Sequence, residues 1–183
     1  MPNVAELSDG VIELRPPTTA DVDALYDAVR ESIAEVMPWM NWCHPDYSRV
    51  ETAEWVRACG RAWAEATEFP FAIFAPGSQV PLGTCGLNAI DRVNRWANLG
   101  YWIRTTATRR GIATRAAILV AGFGFTELEL ERVEILAATD NAASQHVATR
   151  VGATREGVLR RRLRTHDASH NAVVFSLVRD EWR

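Results

Sequence analysis

Apolar residues recur along this chain at two spacings, and the spacing assigns most of its elements. VIELR (11–15) alternates in part and predicts a short strand. Over 18–29, Thr18 and Asp21 lead as capping residues, and Val22, Leu25, Tyr26 and Val29 then share one helical face. Pro38 makes MPWMNW (37–42) a turn. Residues 48–66 carry Val50, Ala53, Trp55, Val56, Cys59 and Trp63 at helical spacing, with Trp55 and Trp63 as core residues. FPFAIFA (69–75) and VPLGTCGLN (80–88) read as strands around a PGSQ turn, and 95–104 as a further strand. A helix is expected over 111–125, a strand over 132–140 and a helix over 141–152 closing at Gly152. A strand pair, 154–164 and 171–180, ends the chain.

The order is strand, two helices, three strands, helix, strand, helix, two strands. Hairpins in the first half and strand–helix–strand units in the second predict an α/β fold on a mixed sheet. No repeat, low-complexity stretch or linker interrupts it, so residues 1–183 are expected to form one domain.

Composition narrows the function classes. A hydrophobic content of 48% and a charged content of 23% are those of a soluble globular chain. The net charge of −3 gives no general affinity for nucleic acid or an acidic membrane surface. Cys43, Cys59 and Cys85 show no metal-ligand or redox spacing. The first ten residues lack signal-peptide features, and no apolar run reaches the ~18 residues of a membrane span. These features predict a cytoplasmic protein. All 20 basic residues are arginine, so an amine-modifying chemistry would meet no lysine on this chain.

The candidate chemistry begins at TRRGIAT (108–114), where the strand NLGYWIR hands over to a helix. A helix start presents N–H groups without intrahelical partners and the positive end of its dipole, which suits an anion. Gly111 and Ala113 keep the backbone approachable, Arg109 and Arg110 add charge, and Thr114 offers a hydroxyl. The loop is neither a Walker loop nor GxGxxG. A basic helix start with a glycine turn is the plain structural alternative.

PWMNW (38–42), LGYWIR (99–104), the 108–114 loop, NAAS (141–144), REGVLR (155–160) and FSLVRDEW (175–182) together, in order, resemble the GNAT superfamily of acetyl-CoA-dependent N-acetyltransferases, and within it the RimJ/RimL group that acetylates ribosomal-protein N-termini. The resemblance implies a mostly antiparallel central sheet flanked by helices. It implies acetyl-CoA as co-substrate, held by backbone groups of Trp102, Ile103 and Arg104 and by Arg109, Arg110, Gly111, Ile112, Ala113 and Thr114. Gly100 in that strand is consistent with a bulge or a close backbone approach. Asn141 and Ser144 would touch the pantetheine arm, with Ser144 protonating the departing thiolate; a plain helix N-cap is the other reading of Asn141. The tyrosine many relatives use as acid is Ala148 here, and Thr108 and Arg109 depart from the usual loop pattern. Trp39, Trp42 and Asn98 are expected on the acceptor side, and His146 on the surface.

Direct transfer in a ternary complex needs a neutral amine, an oxyanion donor and an acid, with no metal and no acetyl-enzyme. The position that often carries Glu in relatives is Asn98; Glu156, Asp91, Asp140 and His44 remain base candidates. An α-amine of pKa ~7.7–8.0 is roughly a quarter neutral near pH 7.4, and a lysine about 0.1%. A weak base therefore favours a protein N-terminal α-amine. Small-molecule acetyl transfer to a polyamine, amino acid or antibiotic, and a CoA-binding sensor without catalysis, are the rivals. LRRRLR (159–164) reads as a solvated edge strand, an acidic-substrate or RNA contact, or the seam of a homodimer.

Overall fold

The computed structural model describes residues 6–182. Part of the N-terminal stretch read above for targeting features, residues 1–5, lies outside the described residues. The elements are β1 (Leu7–Ser8), β2 (Glu13–Arg15), α1 (Val22–Val36), α2 (Arg49–Glu65), β3 (Phe69–Phe74), β4 (Pro81–Asp91), β5 (Trp96–Ile103), α3 (Ile112–Thr126), β6 (Arg132–Ala138), α4 (Ala142–Val151), β7 (Thr154–Thr165) and β8 (Ala168–Val178). They build one eight-stranded sheet in the order β1-β2-β3-β4-β5-β6-β8-β7. The mixed sheet is as expected, with the short β1 added at its edge; two residues carry no periodicity to detect.

Local chemistry explains the helix limits. Ser48 and Glu51 form a capping box for α2, with Glu51 accepting from the Ser48 N–H at 2.9 Å. A helical turn over Thr19–Asp21 leads into α1, and Asp21, 3% exposed, is held bidentately by Arg15 at 2.7 and 2.8 Å. Helix α1 runs seven residues beyond the expected end at Val29, because Ser32 and Val36 continue its buried face. The buried Ser32 hydroxyl is satisfied by donating to the Ala28 carbonyl at 2.7 Å. Gly152 closes α4 at φ 91.

Helices cover both sheet faces. The main core joins Leu99, Val133, Ile135, Val173 and Phe175 to α3 and α4, with Trp63 edge-on to Phe69 and Phe71. The opposite face carries Trp102 against α1 residues Ala28, Val29 and Val36, and Phe74 against Val22, Leu25 and Val56, where Trp55 also packs. Two strand glycines permit close strand approach: a Cβ on Gly83 would overlap the Trp102 carbonyl oxygen and stand 2.8 Å from the Ile103 Cα, and one on Gly86 would stand 2.7 Å from the Phe69 carbonyl oxygen.

Candidate active site

The one parallel pairing among the described residues, β5 with β6, is where the sheet opens. Trp96, Ala97 and Asn98 pair with Arg132, Val133 and Glu134, and there the ladder stops. Both strands continue, β5 to Ile103 and β6 to Ala138, without pairing each other. Backbone groups alternate sides along a strand. The Arg104 N–H donates to the Leu82 carbonyl at 2.8 Å and the Trp102 carbonyl faces Gly83, so those backbone groups turn to β4. Leu99, Tyr101 and Ile103 consequently turn theirs into the opening. Of the strand residues expected at the co-substrate, Ile103 thus offers its N–H, whereas Trp102 and Arg104 do not; the Arg104 guanidinium is bound to Glu31 at 2.6 Å.

Helix α3 begins beside this opening. Arg109 and Gly111 adopt left-handed φ values of 62 and 75, which turn the chain so that successive N–H groups converge. The N–H groups of Arg110, Gly111, Ile112, Ala113 and Thr114 meet no acceptor among the described residues. Arg109 and Arg110 are exposed and without a carboxylate partner among the described residues, while Arg115 one turn on is held by Asp9 at 2.7 Å. A Cβ on Gly111 would meet open space, so its role is conformational. These groups fit a pyrophosphate.

Across the opening, Asn141 caps α4, its Oδ1 accepting from the Ser144 N–H at 3.0 Å. The N-cap reading is therefore correct for its oxygen, and the amide Nδ2 is left for a second contact. Tyr101, which sequence reasoning passed over, reaches over from β5: its hydroxyl lies 3.0 Å from Ser144 Oγ and 3.1 Å from the Ser144 carbonyl oxygen. Burial pushes the Tyr101 phenol up to about 12, so it stays protonated. Only the alternation of β5 could have pointed to it.

The acceptor side is closed by two loops tied together. The Asn41 amide donates to the Arg164 carbonyl at 2.6 Å, and His166 Nε2 lies 3.1 Å from the Met37 carbonyl, which docks the β7–β8 tip on the loop after α1. Trp39, Met40, Asn98, Gly100, Leu163, Thr165 and His170 line the cleft there. Trp42 does not: it packs outside, its ring 5.8 Å from Trp102 and 5.7 Å from Tyr47. Asn98 is tied to Asn88 at 3.0 Å. No bulge forms at Gly100, which pairs regularly with Gly86; its missing side chain leaves the wall flat. The cleft volume of about 1510 Å³ exceeds the roughly 300–1,000 Å³ of a single small-molecule site.

None of the four base candidates named from the sequence lines this cleft. Hydrogen bonds from Arg132, then Ser176, hold the Glu156 carboxyl down at about 2. Asp91 is engaged by Asn94 in the β4–β5 turn, and His44 by Glu51 at 2.7 Å. Asp140 is exposed outside the lining. His170 does line it; its Nε2 lies 2.8 Å from Thr165 Oγ1, and its Nδ1 has no partner among the described residues. A lone histidine near a chain end carried no sequence signal.

Known proteins share this arrangement. The acetyltransferase (GNAT) domain family matches residues 12–154. The Bacillus subtilis (strain 168) protein YdaF, provisionally named a ribosomal N-acetyltransferase, is 40% identical over 100 residues, 55% of this chain and 55% of its own length. The chain thus spans about half the length of that relative. The ribosomal-protein-serine acetyltransferase of Escherichia coli (strain K12) is 24% identical over 92% of this chain and 93% of its own. A solved structure from Vibrio cholerae, provisionally named a ribosomal-protein-serine acetyltransferase, superposes with a TM-score of 0.85 at 28% identity, covering 97% of this chain and 99% of that one. A parallel strand pair that splits beside an uncapped helix start, in a chain matched by one family over most of its length, has one assignment: the chain belongs to the GNAT acetyltransferase family, and within it resembles the RimJ/RimL-like group.

Proposed function

We propose that the protein is an acetyl-CoA-dependent N-acetyltransferase acting on a protein N-terminal α-amine by direct attack in a ternary complex. The observation that carries this reading is the edge of β5 facing β6, unpaired beyond Asn98 among the described residues, beside the free N–H groups at the start of α3. An extended amide-bearing arm can pair along the first while its pyrophosphate sits on the second.

In this reading the thioester carbonyl accepts from a backbone N–H of β5, with Ile103 the foremost donor, and developing negative charge is stabilised by a group already in place. Ser144 gives its proton to the departing thiolate, and Tyr101 donates to Ser144 Oγ as that oxygen gains charge. His170 lines the acceptor side with its Nδ1 free of partners among the described residues, and takes the amine proton directly or through water. A single imidazole is a weak base for a lysine amine, which supports an α-amine as acceptor. Trp39 and Asn98 would flank the acceptor, while Trp42 would act by supporting Trp102. The exposed Val158 and Leu159 on edge strand β7, each 45% exposed, support a homodimer seam there, and a cytoplasmic site of action accompanies the ribosomal substrate class.

Thiol release from acetyl-CoA tests this. Peptides beginning with Ser, Ala or Met are compared with polyamines and free amino acids, with Ser144→Ala alongside. Release with α-amine peptides, reduced at least tenfold in the variant, is expected. Release only with polyamines would transfer the reading to small-molecule acetylation. Tight acetyl-CoA binding without release on any acceptor would support a sensor.

A further inference from the structure

We propose that the arginine-bearing bulge of β7, set on the acceptor wall of the cleft, selects amines carried on an acidic peptide segment; this rests on the N-acetyltransferase reading above. Leu159 pairs with Ala172 and Leu163 with His170, so Arg160, Arg161 and Arg162 stand opposite Asn171 alone. Arg161 takes φ 52, and its N–H donates to the Asn171 side chain at 2.9 Å. The bulge is fixed by this bond and re-aims the side chains it carries.

All three arginines are exposed, and none has a carboxylate partner among the described residues. That sets them apart from Arg15, Arg104, Arg115 and Arg132, each paired within 2.8 Å. Arg162 lines the cleft next to Leu163, which pairs with His170, and Trp39 and Met40 line the same cleft. Guarding an edge strand against pairing accounts for charge on β7 but not for a guanidinium on the cleft wall.

The consequence is a locally positive acceptor mouth on a chain of net charge −3. A polyamine approaching it is repelled. A peptide entering amine-first advances about 3.3 Å per residue, so carboxylates on the residues behind the amine fall over the bulge and clear of the reacting atoms. The arginines therefore act on acceptor binding and encounter, not on the chemical step. An RNA phosphate backbone would also be attracted, but the overall negative charge and the placement of Arg162 inside the cleft favour the peptide.

The test uses Ser-initiated pentapeptides that differ only in residues 2–4, acidic, neutral or basic, with the full chain and an Arg160→Gln/Arg161→Gln/Arg162→Gln variant. Acetylation kinetics and calorimetric peptide binding to the CoA-saturated protein are both read. At low salt the wild type should prefer the acidic peptide over the neutral one by about tenfold, each exposed pair contributing a factor of roughly two. The preference should reside in KM, shrink as salt rises, and fall to about one in the variant. Equal handling of acidic and neutral peptides, an unchanged preference in the variant, or arginine-dependent binding of an RNA oligomer without peptide preference would each overturn the proposal. Arginine-dependent binding of the acidic peptide with no acetyl transfer to any acceptor would uphold it and instead refute the transferase reading.

Discussion

Replacing Tyr101 by Phe removes one oxygen and keeps the ring that packs beside the core. That oxygen has one proton and two neighbours, Ser144 Oγ at 3.0 Å and the Ser144 carbonyl at 3.1 Å. For folding, the loss is one neutral hydrogen bond, about 1 kcal/mol, or roughly 2–4 °C in Tm for a chain of this size. For transfer, the loss is larger. In the proposed mechanism Ser144 Oγ gains negative charge as it gives up its proton, and a hydrogen bond to a charged acceptor contributes about 1.5–3 kcal/mol. The expected fall in kcat is therefore roughly tenfold to a hundredfold. Because burial holds the phenol at about 12, the wild-type rate should show no tyrosine ionisation between pH 6 and about pH 10. Thiol release at saturating acetyl-CoA is the assay, and the Ser144→Ala/Tyr101→Phe double variant should be little slower than Ser144→Ala alone, since the hydroxyls act in series. A kcat within twofold of wild type, or an effect confined to the KM for acetyl-CoA, would refute the relay.

Gly83→Ala forces a Cβ onto the Trp102 carbonyl oxygen at φ 145, so it should cost about 3 kcal/mol or more and lower Tm by roughly 6–12 °C; a loss under about 3 °C contradicts this. Arg109→Gln with Arg110→Gln should weaken CoA binding about tenfold at low salt, by calorimetry, and the deficit should shrink as ionic strength rises; a salt-independent deficit would argue against an electrostatic role. Hydrogen bonds from Arg104 and Thr106 hold Glu31 at about 2 against an ordinary 4.5. A carboxyl depressed on folding stabilises above its unfolded value and loses that contribution as pH falls through the folded one. The Tm gap between wild type and Glu31→Gln should thus be constant above about pH 5 and close between pH 4.5 and 2. A gap that widens on acidification would reverse the assigned sign.

Where local pattern dictated structure, the sequence sufficed. The helical spacing of Val50, Ala53, Val56, Cys59 and Trp63 announced α2, Gly152 closed α4, and the apolar run after Gly111 became the buried helix α3 within one residue. Helix α1 was underestimated because a buried serine, satisfied by its own helix, looks polar in a sequence. The uncapped start of α3, with its exposed arginines and free N–H groups, was legible for the same local reason: glycine, arginines and the first helix turn are neighbours along the chain.

What tertiary structure alone decided is everything that depends on strands separated in sequence. The chain could name Ser144, but the tyrosine that reaches it lies 43 residues away on another strand. Which backbone groups of β5 face the opening follows from pairing with β4, so Ile103 could not be told from Trp102 and Arg104 beforehand. His170 entered the cleft, and Trp42 left it, through contacts between the β7–β8 tip and the loop after α1. Hydrophobic periodicity and capping act over one or two turns and are written in consecutive residues. Strand register, the point where a parallel pair parts, and the docking of two loops are set by the packing of the whole sheet, and no short stretch of sequence carries them.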